Sequence, residues 1–271
     1  MAQLIDLQRR IKAIKSTKKV THAMRLIAVS TYSKLKDKQQ SFLKYKNSSE
    51  EIFSRLLKAQ TKWRSNIIFP EDETNQNPLC IIISSSRGLC GPFHNNLAKH
   101  AKEKLRFRRH QKPVFITIGK RAQRIAEDIM KNRGQGSFVL KKHYESFNME
   151  NISKISAEIT NEIFNAKASY SLVCTLSNTF KNLFAQIPKL NIVAPFKHSQ
   201  QSNIIESENY IWEQDHNEIL QQLIKNYVSS NIWNSILESI LSENAARFVA
   251  MDSATNSAES HAETLSLQYN K

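Results

Sequence analysis

Apolar side chains recur every three or four positions near the start of the chain, and this spacing predicts one very long helix. No proline or glycine interrupts residues 1–69. A helix from about residue 3 to about residue 60 would be ~85 Å long, which is longer than a small domain is wide. We therefore expect an arm that extends outside any compact core. Its predicted apolar stripe consists of Leu4, Leu7, Ile11, Ile14, Val20, Met24, Ile27, Thr31 and Leu35.

A second helical pattern occupies the end of the chain, where residues 196–271 again contain neither proline nor glycine. Residues 219–241 keep helical spacing, and residues 242–262 are rich in alanine and serine. Small side chains let two helices approach closely, and the first arm carries its own small residues around Ala28. Both arms are attached to the same central segment, so we expect them to run antiparallel.

The central segment alternates between strand and helix patterns. All five glycines and six prolines of the chain lie between Pro70 and Pro195. Alternating elements predict a mostly parallel sheet with helices on its faces. The predicted strands are 79–83, 114–118, 170–180 and an edge strand within 184–196 broken by Pro188. Three helices are predicted. The first has Pro92 in its first turn, the second follows Gly119 and ends near Asn132, and the third runs from about Met149 to Ala168.

The predicted fold class is thus α/β, with a long antiparallel two-helix coiled coil and a central Rossmann-like domain. The expected division is 1–64 for the first coiled-coil helix, 65–207 for the α/β domain with its connectors, and 208–271 for the second coiled-coil helix.

Charge is distributed unevenly over a net total of +15. Residues 1–62 contain fifteen lysines and arginines against four acidic residues, whereas residues 205–271 contain three against ten. The basic first arm and the acidic last arm are suited to lying side by side. The positive total is equally consistent with general solubility.

No membrane span or metal site is predicted. No apolar run approaches the length needed to cross a bilayer. Cys80, Cys90 and Cys174 are scattered in no metal-ligand spacing, and their odd number indicates reduced surroundings. The basic, amphipathic start could pass for a transit peptide, but its periodicity continues far past residue 25, so we treat it as mature structure.

The strand–turn–helix at Arg87, Gly88, Leu89, Cys90 and Gly91 is where a phosphate loop would lie. Neither GxGxxG nor GxxxxGK[ST] is present, so a tight turn that needs two glycines is the favoured interpretation. A nucleophilic Cys90 would need a base such as His94 or His100. We predict no catalytic residue, no cofactor and no metal.

Three stretches together resemble the gamma subunits of rotary F-type ATP synthases. They are "RRIKAIKSTKKVTHAMRLIAVS" at 9–30, "SSSRGLCGPFHNNL" at 84–97 and "SENAARFVAMDSATNSA" at 242–258. The resemblance implies a non-catalytic rotor shaft of the central stalk, which couples rotation of the membrane ring to the catalytic beta subunits. It also implies partners: alpha and beta subunits around the arms, and the epsilon subunit and the c-subunit ring below.

The resemblance further implies roles for individual residues. An interface with the catalytic head would use Arg9, Arg10, Lys12, Lys18, Lys19, Met24 and Arg25. A foot on the membrane ring would use Tyr210, Trp212 and Glu213. The structural family motif would comprise Arg87, Gly88, Leu89, Cys90, Gly91, Glu243, Ala246, Arg247, Met251, Asp252, Thr255 and Asn256.

The sequence departs from the family pattern at a few positions. Ser86 stands where the family usually has Asp, His94 where it has Asn, and Gln214 where it has Pro. The family typically continues beyond the segment "LSLQYNK", so we expect that its C-terminal extension is absent and assign no contact to it. The expected location is peripheral, on the cytoplasmic side of a bacterial plasma membrane or the matrix side of the mitochondrial inner membrane.

Two other functions remain as alternatives. A nucleic-acid-binding coiled coil would use the basic arm on phosphates and lose affinity steeply with salt. The acidic second arm and the lack of aromatic residues among the basic ones disfavour it. A cysteine-dependent α/β enzyme should lose its activity on Cys90→Ala.

Overall fold

The computed structural model describes residues 2–59, 77–107, 111–131, 138–165, 170–196 and 215–270. Its helices are α1 (Ala2–Ala59), α2 (Phe93–Lys104), α3 (Lys120–Lys131), α4 (Ile152–Phe164) and α5 (His216–Asn270). Its strands are β1 (Pro78–Ile83), β2 (Val114–Ile118), β3 (Val139–Tyr144), β4 (Leu172–Phe180) and β5 (Gln186–Ala194).

The two terminal helices form the predicted antiparallel pair. Helix α1 has 58 residues and α5 has 55. Near one end of the pair, the hydroxyl oxygens of Thr21 and Thr255 lie 2.9 Å apart. Further along, the rings of Phe53 and Tyr227 stack with centroids 5.5 Å apart. Residue numbers rise on one helix as they fall on the other, which confirms the antiparallel arrangement.

The face of α1 that packs on α5 differs from the predicted stripe. Thr21, Ala28 and Leu35 are buried, whereas Val20 is 56% exposed and Ile27 is 66% exposed. Val20 and Ile27 lie about 100° around the helix from Thr21 and Ala28. The small side chains at Thr21 and Ala28 allow α5 to come close, and this close approach turns the larger apolar residues outward. Placing Val20 and Ile27 on the packed stripe was therefore wrong.

The sheet has the strand order β3-β2-β1-β4-β5. The first four strands are parallel to their neighbours, and β5 is antiparallel to β4. The mostly parallel sheet is confirmed, but the break at Pro188 is not, because β5 is continuous there and Pro188 lies opposite Asn178. Strand β5 is at the edge of the sheet, where a residue without an N–H is tolerated.

Helices cover both faces of the sheet and give three layers. Strand β1 is buried along its whole length. On one face Leu79, Ile81 and Ile83 belong to the core that includes side chains of α4, α5 and α1. On the other face Cys80 and Ile82 pack with α2 and α3. The continuous apolar run that predicted β1 is thus explained by cover on both sides.

Helix α5 runs along β4 in the same direction. The hydroxyl oxygens of Thr175 and Ser235 lie 3.0 Å apart, and Ser242 donates a hydrogen bond of 3.1 Å to the Asn178 carbonyl. The carboxyl ends of the parallel strands therefore point towards the end of the coil that contains the start of α1 and the end of α5. We call that end the tip, and the opposite end, at the amino ends of these strands, the base.

Candidate functional site

Three of the predicted interface cations are free on the outer side of α1. Arg9, Lys12 and Lys19 are exposed and form no ion pair within the described part of the chain. Arg10 is also exposed but pairs with Asp6 on the same helix, with 2.9 Å between Nη2 and Oδ2. These cations are available to an external partner.

Two other predicted interface residues contact the second helix instead. Lys18 Nζ lies 2.6 Å from Glu259 Oε1, and Arg25 Nη1 donates to Asp252 Oδ1 at 2.6 Å. Met24, beside Arg25, is half-buried. The predicted set is therefore divided, because Lys18 and Arg25 join α1 to α5 while the other cations point away.

An exposed apolar row accompanies the free cations. Val20, Ala23 and Ile27 are all exposed and follow the helical spacing of three and four residues that places them on one face. Arg9, Lys12 and Lys19 flank the same side of the helix. We call these six residues the outer face of α1. Exposed apolar residues rimmed by charges mark protein interaction surfaces.

The turn between β1 and α2 carries the first family motif. Leu89 and Gly91 have φ angles of 63° and 57°, and Gly88 does not have a positive φ. The prediction that the turn needs two glycines holds for Gly91 and is wrong for Gly88, since Leu89 takes the second left-handed position. Gly91 also faces Ala250 of α5, where an added Cβ would be 3.8 Å from the alanine Cβ.

A buried ion pair on α5 holds this turn. Arg247 and Glu243 form a salt bridge one helical turn apart, and each side chain is about one-tenth exposed. Arg247 Nε and Nη2 each lie 3.4 Å from the Gly88 carbonyl oxygen, to which they donate. Burial raises the pKa of Glu243, although the nearby Arg247 acts in the opposite direction. The sequence motifs around residues 88 and 247 are thus one contact in space.

The remaining motif residues on α5 face either the domain or α1. Ala246 packs with Cys90 and Phe93. Met251 is buried, Asp252 binds Arg25, and Thr255 contacts Thr21. Asn256 is exposed. Most of this motif therefore forms the α5 side of the coil and its junction with the turn.

His94 lies close enough to Cys90 to act on it, but the chemistry does not favour a nucleophile. His94 Nε2 is 3.2 Å from Cys90 Sγ, and His94 Nδ1 is 3.0 Å from Ser84 Oγ. Burial raises the pKa of the Cys90 thiol and lowers the pKa of His94. A thiol of raised pKa keeps its proton, so a structural role for Cys90 fits better than nucleophilic attack.

The sheet brings the other two cysteines together. Cys80 and Cys174 are aligned partners on β1 and β4, and their sulfur atoms lie 3.2 Å apart as free thiols. Their separation in sequence gave no signal of this contact. Among the described residues, no group of three or more His, Cys, Asp or Glu side chains could hold a metal ion.

The predicted foot, Tyr210, Trp212 and Glu213, lies outside the described residues. None of the helices described is long and apolar enough to cross a membrane.

Comparison with known proteins points to one family. A family model described as ATP synthase matches residues 3–271. The ATP synthase gamma chain of Pelagibacter ubique is 31% identical over a 282-residue alignment that covers all of this chain and 93% of the relative. The ATP synthase gamma chain of the Wolbachia of Brugia malayi is 30% identical, with the same two coverages.

Solved structures share the fold at lower identity. A chain from the central stalk and c-ring of the Tetrahymena thermophila mitochondrial ATP synthase has a TM-score of 0.60 and 18% identity, with 87% of this chain and 99% of that chain covered. A chain from the rotor of the Euglena gracilis mitochondrial ATP synthase has a TM-score of 0.60 and 13% identity, with coverages of 99% and 96%.

Proposed function

The chain belongs to the family of ATP synthase gamma chains, and from that premise we propose that it is the rotor subunit of the central stalk. It couples rotation of the membrane ring to the conformational cycle of the catalytic beta subunits, and so couples proton transport to ATP synthesis and hydrolysis. The subunit is a non-catalytic part of the enzyme complex.

The outer face of α1 is the observation that carries this proposal. The two-helix coil presents free cations and exposed apolar side chains together on the outer face of α1, whereas the opposite side of α1 is covered by α5. Such a shaft is asymmetric about its axis, so a ring of subunits around it meets a different surface at each angle. The cations of α1 attract anionic groups on whichever ring subunit they face.

The partners follow from the position of each part. The alpha and beta subunits surround the coil, and the epsilon subunit and the c-subunit ring contact the domain end. The coil arms are residues 1–64 and 208–271, and the domain is 65–207. Tyr210, Trp212 and Glu213 remain the proposed foot on the ring, by sequence resemblance alone. Solved structures that share the fold come from mitochondrial ATP synthases, one described as central stalk and c-ring and another as OSCP, F1 and c-ring.

The location follows from these partners. The subunit is peripheral, held at the membrane through the complex, on the cytoplasmic side of a bacterial plasma membrane or the matrix side of the mitochondrial inner membrane. The nucleic-acid alternative has no support, since part of the basic arm is neutralised by carboxylates of α5 at Lys18 and Arg25.

Reconstitution tests the coupling role. Alpha and beta subunits are assembled with and without the chain, and ATP hydrolysis is measured. We expect hydrolysis to be stimulated by the chain and stimulated less by the V20D/I27D variant, whose substitutions lie on the exposed outer face. Hydrolysis that is identical with and without the chain would refute the proposal.

A further inference from the structure

A group of exposed cations lies at the base of the domain, on the layer that faces away from the coil. Lys102 and Lys104 end helix α2, and Arg106 and Lys112 follow it. None of the four forms an ion pair with a carboxylate of the described residues. Three other lysines of the domain, Lys120, Lys141 and Lys142, each lie within 2.7 Å of a glutamate oxygen.

Ring contacts and backbone pairing bring an apolar segment beside two of these cations, Arg106 and Lys112. The ring of Phe107, next to Arg106, lies 6.0 Å from that of Phe115, and the Phe115 ring lies 6.2 Å from that of Phe138. The Val139 amide donates to the Pro113 carbonyl at 3.2 Å. Arg106, Lys112 and the start of β3 therefore share one region at the amino end of the sheet.

The apolar segment is exposed. Val139 is 51% exposed, and Phe138 and Leu140 are each 36% exposed. Strand β3 is at the edge of the sheet, so β2 is its only strand neighbour in the sheet as described. Phe138 and Leu140 lie on the α2 side of strand β3, and Val139 lies on the other side. We call Lys102, Lys104, Arg106, Lys112, Phe138, Val139 and Leu140 the base surface, because all of them lie at the amino end of the sheet.

We propose that the base surface binds directly to the headgroup region of an anionic lipid bilayer. Lysine and arginine clusters are attracted to anionic headgroups, and exposed apolar side chains beside them can enter the interface. The base surface combines the two. It also lies at the end of the molecule opposite the tip, where the proposed function puts the membrane. The contact is additional to the one with the c-subunit ring.

Two other anionic partners match less of the surface. Nucleic acid would use the cations and leave Val139 and Leu140 without a role, since backbone phosphates are bound through charge. An acidic protein segment would also bind the cations. A surface that serves only such a segment would not bind lipid vesicles. Lipid is the partner that accounts for charge and apolar exposure together.

Co-sedimentation of the full chain with lipid vesicles tests the proposal. Vesicles of phosphatidylcholine with about one third phosphatidylglycerol are compared with pure phosphatidylcholine vesicles at about 0.1 M salt. We expect binding to the anionic vesicles. K102Q/K104Q/R106Q/K112Q should weaken the partition coefficient about tenfold or more, because each cation near a charged membrane contributes severalfold. V139S/L140S should weaken it by a smaller factor.

The matched control is K34Q/K36Q/K38Q/K44Q, which removes four exposed cations from α1 on the opposite side of the sheet. We expect the control to change the partition coefficient less than about twofold. Circular dichroism of each variant checks that it folds. Stimulation of ATP hydrolysis by the base variant should equal that by the unmodified chain, which separates this proposal from the rotor proposal.

Several results would overturn the proposal. One is equal loss of binding in the base and α1 variants, which would make the attraction a property of net charge. Another is the absence of binding to anionic vesicles. A third is tighter binding to duplex DNA than to vesicles, with V139S/L140S unaffected.

Discussion

The Glu243–Arg247 pair stabilises the turn at Gly88 from inside the protein. Removing Arg247 would leave the Glu243 carboxylate buried without its cation, and breaking such a pair costs about 3–5 kcal/mol. We therefore expect Arg247→Ala to lower the free energy of unfolding by an amount in this range, measured by urea denaturation.

Replacing both residues of the pair tests whether the cost comes from leaving one charge buried without its partner. E243L/R247M fills the space with apolar atoms and leaves no buried charge, so it should cost less than Arg247→Ala alone. The Gly88 carbonyl is at an exposed position and can turn to water for its hydrogen bond. A double variant less stable than the single one would contradict this account.

His94 makes the stability of the domain depend on pH. Burial lowers the pKa of His94 below its ordinary value of 6.5. The unfolded chain therefore takes up a proton at a higher pH than the folded one. The neutral histidine's contribution to stability is fully present above about pH 6.5 and is lost as the pH falls through the folded pKa.

Asparagine at this position provides the test. It cannot titrate, and its amide can still bond to Ser84. As the pH falls from 7 to 5, we expect the thermal midpoint of the unmodified chain to fall relative to that of His94→Asn. Taking the difference cancels other groups, including Glu243, whose raised pKa acts with the opposite sign. Parallel curves would exclude His94 as the cause.

Single residues show where sequence reasoning stops. The motif letters indicated a turn at 87–91, and the structure has one, but Leu89 and not Gly88 has the positive φ. A leucine in that conformation costs roughly 1–2 kcal/mol, and only the surrounding contacts make it acceptable. The four-residue spacing of Glu243 and Arg247 could have predicted their pairing. The partner of that pair, Gly88, could not be inferred.

At the level of elements, helix α5 meets strand β4 through a partly unsatisfied polar surface. The hydroxyls of Ser177 and Ser239 are buried and have no hydrogen-bond partner in the described structure. Ser177 lies on the same face of β4 as Thr175, and Ser239 is one turn from Ser235 on α5. A buried polar group without a partner is unfavourable, so this contact is weaker than an apolar one would be.

Alanine substitution in this contact should stabilise the protein. We expect Ser239→Ala to raise the free energy of unfolding by about 0.5–1.5 kcal/mol, because it removes an unpaired hydroxyl and adds a better helix former. Urea denaturation measures the change. The matched control is Ser235→Ala, which leaves the buried Thr175 hydroxyl unpaired and should destabilise by about 1 kcal/mol or more. Equal effects of the two substitutions would contradict the distinction.

Element prediction succeeded where one pattern dominated. Strand β2 was predicted with its observed bounds because an apolar run stands between proline and glycine. Strand β3 was missed because its sequence, VLKKHY, has no buried face to produce alternation. Val20 and Ile27 were misassigned because periodicity shows that a helix has an apolar side and does not show which side its partner covers.

At the scale of the whole molecule, the distribution of glycine and proline predicted two arms and a domain between them. The distribution of charge predicted that the two arms attract each other. The structure shows this in the salt bridges Lys18–Glu259 and Arg25–Asp252. Which cations stay free depends on how the two helices are rotated about their axes, and that rotation is set by the close packing at Thr21 and Ala28. The division of the basic arm into two roles therefore required the structure.

This division leads to a prediction for the assembled rotor. K12A/K19A removes two free cations of the outer face, and K18A/R25A removes the two that pair with α5. We expect K12A/K19A to reduce stimulation of ATP hydrolysis severalfold while the chain's unfolding free energy changes by less than about 0.5 kcal/mol. K18A/R25A should lower that free energy by up to about 1 kcal/mol for each lost pair and affect stimulation less.

Added salt should weaken stimulation by the unmodified chain more than by K12A/K19A, because exposed charges are screened. Full stimulation by K12A/K19A, together with its loss in K18A/R25A, would show that the catalytic head does not contact the outer face.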